Sequence, residues 1–337
     1  MSHPTIVFLG PRGTFTEQAV HDFLAQDRIP GVSTASQSTI EDCELLPVDS
    51  PAAALDAVRS GTAQCAVVAV ESSVDGPVVH TEDALISGER VQVIAETLVP
   101  ITFSIGVRPG EAEKVRAGEA RFTTHPVAQA QVRDWISAHL PNASFVPASS
   151  NGAAAKAVAD GTADICAAPK RAMELYGLES LSDGVADVDD AFTRFGLVTL
   201  PQTPPDRTGR DRTGVAFTMP HEPGSLLNAM QQFSLRGVNL TRIGSRPTRA
   251  LMGTYVFHIG MVGHIDDPAV ADALAGLQRE ASWVRFIGSW PLASIPEAQG
   301  ELTEILGDAG SLPTDYAESQ AWLATMRDPN SKEGHTR

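Results

Sequence analysis

Ala57-Val58-Arg59-Ser60-Gly61-Thr62-Ala63 returns a hundred residues later as Ala157-Val158-Ala159-Asp160-Gly161-Thr162-Ala163. Each copy closes an alanine-rich helical stretch at a glycine, the residue that most readily takes the left-handed backbone of a helix C-terminus. Each then runs into a short apolar strand, Cys65 to Val70 in the first copy and Asp164 to Ala168 in the second. With strands and helices alternating in both halves, the pattern predicts two similar α/β lobes. Chance is the alternative, because C-terminal glycines are common.

The first lobe reads as strand 5–9, helix 14–26, a strand near 45–48, helix 51–60, strand 65–70 and a helical turn over Thr81–Ile86. The strand Arg90–Thr97 and the run Ile101–Val107 are the expected crossover into the second lobe. That lobe reads as strand 120–123, helix 126–140, strand 143–147, helix 151–160, strand 164–168 and helix 169–176. On helix 126–140, Val132, Trp135, Ile136 and Leu140 share one face at helical spacing and are expected in the core. The two lobes fill an expected domain over 1–200.

A Pro- and charge-rich stretch without periodicity, 201–212, reads as a linker. Beyond it, 213–292 reads as strand 213–219, helix 223–235, strands 238–246 and 253–262, helix 267–279 and strand 282–290. That order is βαββαβ, a ferredoxin-like sandwich, with Leu226, Leu227, Met230 and Phe233 facing inward from its first helix. The tail, 293–337, is acidic and interrupted by proline. It is expected to be largely flexible, with a short helix over Ala317–Met326.

Composition bounds the function. The chain has 337 residues, 42% of them hydrophobic, and a formal net charge of −16. An acidic surface argues against a nucleic-acid or anionic-membrane partner. No apolar run reaches membrane-spanning length, and the N-terminus reads as a strand without a basic leader, so a signal peptide is not expected. Cys43, Cys65 and Cys166 are far apart and odd in number, which fits neither a disulfide framework nor a CxxC metal site. Core packing of Cys65 and Cys166 in a reducing cytoplasm is the expectation.

Three segments can carry chemistry. Gly10-Pro11-Arg12-Gly13-Thr14-Phe15-Thr16-Glu17 is a tight turn that opens a helix. Thr14 either caps that helix and nothing more, or leaves its first N–H groups to an anion. Thr124-His125-Pro126 and Ser149-Ser150-Asn151-Gly152 repeat the device, and the three openings are expected to converge on one cleft. Thr193-Arg194-Phe195 follows the acidic loop Asp187 to Asp190. It is either a polar strand edge or a neutral proton donor beside a cation able to hold a carboxylate. Glu71 ends strand 65–70 as a strand cap or as a polar group in a crevice at the carboxyl edge of a sheet. His80 and His125 lack neighbours at metal-ligand spacing, so no metal is expected.

Together these segments resemble bacterial prephenate dehydratase fused to a C-terminal ACT regulatory domain. The resemblance covers roughly 4–292 and rests on GPRGTFTE at 10–17, Glu71-Ser72-Ser73 with Asp75-Gly76 and Thr81-x-Asp83-x-Leu85, and the HP…Q helix at 125–131. The triplet at 193–195 and, in the last domain, Gly224-Ser225-Leu226 with Ser245-Arg246-Pro247 complete it. It implies a two-lobed, periplasmic-binding-protein-like catalytic domain and a cofactor-free lyase that takes CO2 and the ring hydroxyl from prephenate to give phenylpyruvate. It implies Thr193 as general acid, with Glu71 and Ser72 beside it. Thr14, Thr124, Gln131 and Arg194 would bind substrate, and Ser150, from the third helix opening, is expected to join them. A homodimer or tetramer is implied by the way ACT units pair.

Departures qualify the match. Ser72 stands where the family has Asn, Thr124 where it has Ser, and Asp190-Ala191-Phe192 where Asn is common. Gly244 replaces the Glu of ESRP and Ser225 the Ala of GAL, in stretches that bind phenylalanine in relatives. Weak or absent phenylalanine inhibition is therefore expected. Two rival readings follow: a non-aromatizing prephenate decarboxylase that keeps the ring hydroxyl, and a non-catalytic amino-acid sensor.

Overall fold

In a computed structural model, which describes residues 3–31, 43–188, 191–248, 253–293 and 314–327, the repeated heptapeptides fold alike. Gly61 and Gly161 take φ of 74° and 76° just past the helices they close. A hundred residues apart as well, Ser50 and Ser150 accept hydrogen bonds from Ala53 N and Ala153 N at 3.1 and 3.0 Å. Each such cap stabilises its helix by about 1 kcal/mol. Chance glycines do not explain a cap, a helix and a closing turn that all recur in register.

The chain divides into two compact units, Met1–Val91 with Ala95–Gln202, and Gln92–Ile94 with Thr203–Arg337. The first unit opens with β1 (Thr5–Leu9), α1 (Phe15–Ala25), β2 (Glu44–Val48), α2 (Pro51–Arg59), β3 (Cys65–Ser72), β4 (Gly76–Pro77), α3 (Val79–Ile86) and, from Ala95 on, β5 (Gln92–Pro100). It continues with β6 (Phe103–Val107), α4 (Ala112–Ala117), β7 (Ala120–Thr124), α5 (Pro126–Gln131), α6 (Arg133–His139), β8 (Ala143–Pro147), α7 (Asn151–Ala159), β9 (Ile165–Ala168), α8 (Lys170–Tyr176), β10 (Glu179–Val185) and β11 (Phe192–Thr199).

One lobe is built on the strand order β5-β11-β3-β1-β2 and the other on β10-β6-β9-β7-β8. In each, one strand pairs in parallel with two others, β1 with β2 and β3, and β7 with β8 and β9. The chain crosses between lobes twice, from β5 to β6 and from β10 back to β11. The crossings are tied together where Ile101 N donates to Ala191 O at 2.7 Å.

The cores follow the apolar runs. Ile6, Val7, Phe8, Val67 and Leu197 are fully buried in the first lobe, as are Ile105, Val132 and Ile165 in the second. Cys65 and Cys166 are also fully buried, and burial pushes both thiols up to about 12, so they stay protonated.

The expected helix 126–140 is broken. α5 ends at Gln131, Val132 leaves helical geometry with φ −127° and ψ 8°, and α6 begins at Arg133. The cause is a residue from the loop before β11. Asp187 N donates to Gln131 O at 2.6 Å, and Asp187 Oδ2 accepts from Asp134 N at 2.9 Å. One residue thus closes one helix and caps the next. Val132 and Leu140 are still buried, with Trp135 and Ile136 packed against their cluster.

The second unit holds β12 (Asp211–Thr218), α9 (Ser225–Ser234), β13 (Leu240–Pro247), β14 (Tyr255–Val262), α10 (Pro268–Glu280) and β15 (Trp283–Pro291). Its strands lie in the order β13-β14-β12-β15, the antiparallel ferredoxin-like arrangement. Ala229 and Phe233 bury the inner face of α9, with Met230 beside them. Leu227 is 61% exposed, against expectation. A single helical stripe through 226, 229, 230 and 233 leaves 227 on the outer side.

A last helix, α11 (Thr314–Arg327), spans the short helix expected over Ala317–Met326, and Tyr316 on it packs against the same core. The remainder of the expected flexible tail, 294–313 and 328–337, lies outside the described residues. Among the described residues, no helix is long and apolar enough to cross a membrane.

Candidate active site

A cavity of about 400 Å³ lies between the lobes of the first unit. That volume suits a small molecule. Thr193 and Ala191 from the returning strand line one side, with Ser72, Asp75 and Val78 near the end of β3. The other lobe supplies His125, Gln131 and Asn151. Phe15 and Phe103, one from each lobe, meet edge to face at 5.5 Å and form an apolar wall with Ile101.

A β-bulge aims the first side. Thr193 pairs with Ser72 and Arg194 with Glu71, but Phe195 pairs with Ala69, so β3 carries one extra residue. Ala69 and Ser72 consequently share the cavity face, three positions apart, while Glu71 is turned away. Ser73 clamps the start of β11: its N donates to Phe192 O at 2.8 Å and its Oγ accepts from Phe192 N at 2.9 Å. Ser72 Oγ accepts from Val74 N and Asp75 N at 3.2 and 3.1 Å, which folds the turn below the cavity. Asp190, part of the expected departure before the triplet, lies outside the described residues.

Of the residues expected at the site, Thr193, Ser72 and Gln131 line the cavity. Gln131 is 7% exposed, and its Oε1 has no hydrogen-bond partner. A buried acceptor left empty beside a cavity is a place for a ligand donor or water. The break between α5 and α6 fixes it there, because Asp187 holds the Gln131 backbone carbonyl.

The other expected residues are committed elsewhere. Thr14 Oγ1 accepts from Glu17 N at 3.4 Å, and Ser150 Oγ caps α7 as Ser50 caps α2. Thr124 is fully buried, and its Oγ1 donates to Ala167 O at 2.7 Å. Arg194 faces away from the cavity, with Nη1 2.7 Å from Glu71 Oε2 and Nε 3.6 Å from Glu96 Oε2. Its guanidinium is held between two carboxylates, and Glu96 among them is buried.

The three helix openings do converge, but one residue later than expected. Phe15, His125 and Asn151 line the cavity; Thr14 and Ser150, which cap α1 and α7, do not, whereas His125 is itself the cap of α5 and accepts from Val127 N at 3.3 Å. At α1 and α7 the cap side chain folds back over its own first turn, so its neighbour takes the outward position. At those two openings the cap is the legible signal in sequence, and the residue after it is what the cavity meets.

An interlobe latch lies beside this cavity. Glu17, fully buried, accepts from Gly13 N at 2.5 Å and pairs with Arg12 at 3.1 Å in its own lobe. Its other neighbour is Arg171 of α8, at 3.6 Å. Gly152 in the first turn of α7 comes so close that a Cβ there would be 2.5 Å from Arg12 O.

The prephenate dehydratase family model matches residues 6–203. The chain belongs to that family. A prephenate dehydratase of Corynebacterium glutamicum is 50% identical over 289 residues, 86% of this chain and 88% of its own length. A prephenate dehydratase from Arthrobacter aurescens, solved in complex with L-Phe, superposes with a TM-score of 0.77 at 38% identity, covering 96% of this chain and 99% of its own. The prephenate dehydratase of Staphylococcus aureus subsp. aureus Mu50 shares the fold, with a TM-score of 0.65 at 21% identity over 85% of this chain and 99% of its own. The two-lobed α/β architecture is thus the prephenate dehydratase fold, and the interlobe cavity is where this member's polar and aromatic side chains meet.

Regulatory positions expected in the last domain fall on two elements. Gly224, with φ of 83°, precedes α9, which Ser225 and Leu226 begin. Gly244, Ser245, Arg246 and Pro247 lie on the edge strand β13, opposite His258, Phe257, Val256 and Tyr255 of β14.

Proposed function

We propose that this chain is a prephenate dehydratase, a lyase that converts prephenate to phenylpyruvate, carbon dioxide and water in phenylalanine biosynthesis. The observation that carries the reading is Thr193, a neutral alcohol at the rim of a cavity with an apolar wall, in a chain of this family. The bond from the ring to its carboxylate breaks and the carboxylate leaves as CO2. That electron pair enters the ring as the bond to the hydroxyl breaks. The departing oxygen takes the Thr193 proton and leaves as water, and Thr193 regains a proton from solvent. Aromatisation supplies much of the driving force, so the protein need only orient the dianion and assist one leaving group.

Ser72 and Gln131 support this as polar partners on either side of the ring. Glu71 and Arg194 are read as positioning residues: their ion pair braces the back of β11 so that Thr193 faces forward. Thr14, Thr124 and Ser150 are read as residues that shape the cavity by capping or supporting the elements around it. No cofactor enters this scheme.

The second unit is read as an ACT regulatory domain, expected over 213–292 and begun by β12 two residues earlier, at Asp211, with the expected linker of 201–212 shortened accordingly between it and a catalytic domain over 1–200. Its βαββαβ order supports this, as does the L-Phe bound to the Arthrobacter relative. Pairing of such units would give a homodimer or tetramer, and the cytoplasm is the expected compartment. The test is to incubate the purified chain with prephenate and identify the product by absorbance and mass. Phenylpyruvate supports dehydration. A dihydro-hydroxyphenylpyruvate or unchanged substrate would overturn it.

A further inference from the structure

Prephenate is a dianion, yet among the described residues lining the cavity there is no lysine or arginine. Arg194, the cation nearest in sequence to Thr193, is held by Glu71 and Glu96 on the other face of its strand. Asp75 and His125 are the titratable residues of that lining, so side-chain amides and hydroxyls carry most of the hydrogen bonding to the charge. We propose that Asn151 binds the substrate carboxylate that survives the reaction, the one on the pyruvyl side chain. This deepens the dehydratase reading and rests on it.

The Asn151 amide is oriented from behind. His125 N lies 3.3 Å from Asn151 Oδ1, and a backbone N–H can only donate, so the oxygen is on that side. Thr124 Oγ1 is 3.2 Å from the same oxygen. The planar amide then turns Nδ2 and its two protons away from His125 N, and Asn151 lines the cavity. Asn151 is also the first residue of the nine-residue α7. Ser150 takes the Ala153 N–H, and the earlier first-turn N–H groups have no partner within the helix. The side-chain amide thus stands at the first residue of α7, where the positive end of the helix favours a carboxylate.

A second observation in the same cavity points to a ligand: the buried, unpartnered Oε1 of Gln131. Chemistry selects which carboxylate goes to Asn151. Holding the ring carboxylate tightly would oppose its departure as CO2, because only interactions stronger in the transition state speed a reaction. The apolar wall of Phe15 and Phe103 suits the group that leaves uncharged. The pyruvyl carboxylate is unchanged from substrate to product, so fixed donors there orient the ring at no cost to the chemistry.

The test is Asn151→Asp, which keeps the oxygen that faces His125 and replaces the donors with an anion. KM for prephenate and the inhibition constant for the product, phenylpyruvate, should each rise about 10- to 100-fold, as for a lost hydrogen bond to a charged group. kcat should stay within about threefold. The thermal midpoint should hold or rise, because an acidic residue at the start of α7 is favourable; a merely structural Asn151 would not separate binding from stability in this way. Asn151→Ser, with one short donor, should fall between and serves if the Asp variant does not fold. Wild-type turnover with both constants unchanged in the variant overturns the Asn151 assignment alone. A raised KM with an unchanged phenylpyruvate constant places the ring carboxylate there instead and also overturns it. A wild-type chain that makes no phenylpyruvate overturns the dehydratase reading, and the Asn151 assignment with it.

Discussion

Thr193 and Ser72 lie opposite one another across an antiparallel strand pair, and both face the interlobe cavity. Between Ala69 and Glu71 the bulge adds one residue to β3 and reverses the side on which the next residues point. Without it, Glu71 would take the cavity face and Ser72 the back. The bulge thus turns the Glu71 carboxylate off the cavity face and gives it to Arg194 instead.

Arg194 is accordingly a brace. Replacing it with Gln leaves Glu71 and Glu96 side by side without the guanidinium between them. Arg194→Gln should cost about 2–4 kcal/mol, between the limits for exposed and buried pairs. Thermal or denaturant unfolding reads this directly. Adding Glu96→Gln to that variant should recover part of the loss. An Arg194→Gln chain as stable as wild type would remove the brace.

Gly152 sets how closely the lobes approach at the first turn of α7. Gly152→Ala places a Cβ 2.5 Å from the Arg12 carbonyl, a backbone atom with little room to retreat. The variant should lose about 1–3 kcal/mol of stability, as overpacked sites do, and kcat/KM should fall with it. Unchanged melting and unchanged kcat/KM would show that the turn yields freely.

Much of the fold was legible. Strands and helices of both lobes follow apolar periodicity, and the hundred-residue echo marks equivalent turns. The break at Val132 was not legible, because it is imposed by Asp187, more than fifty residues away, on a stretch whose own spacing fits one helix. The site was half legible for a related reason. Thr14, Thr124 and Ser150 stand out as helix-opening residues, and their hydroxyls serve the backbone. Phe15 and Asn151, which meet the cavity, carry no signal except their place after a cap, and His125 meets it as the cap of α5. Glu71 is turned from the cavity by a bulge that local sequence does not announce.

His21, on α1 near the interlobe latch, gives a pH dependence. Burial, then the positive charge of Arg171, hold its imidazole below the ordinary 6.5, with Glu17 opposing. The unfolded chain therefore binds a proton more readily than the folded one just below that value. Stability should be at its plateau above about pH 6.5 and decline as the pH falls below it. His21→Gln should flatten that part of the profile, measured as thermal midpoint against pH. Identical profiles for the two chains would contradict the assignment.

Phenylalanine should inhibit weakly or not at all. Gly244 on β13 offers no side chain beside Ser245, and Ser225 begins α9 where the family has Ala. Initial rates with and without L-phenylalanine decide this. Strong inhibition at micromolar concentration would mean that these positions are not needed for binding.

The turnover number of Thr193→Ala with saturating prephenate tests the account most directly. Loss of a positioned general acid should lower kcat about 100- to 10,000-fold, while KM stays within about threefold and Thr193→Ser restores much of the rate. A Thr193→Ala enzyme that forms phenylpyruvate at the wild-type kcat would contradict the role of this hydroxyl.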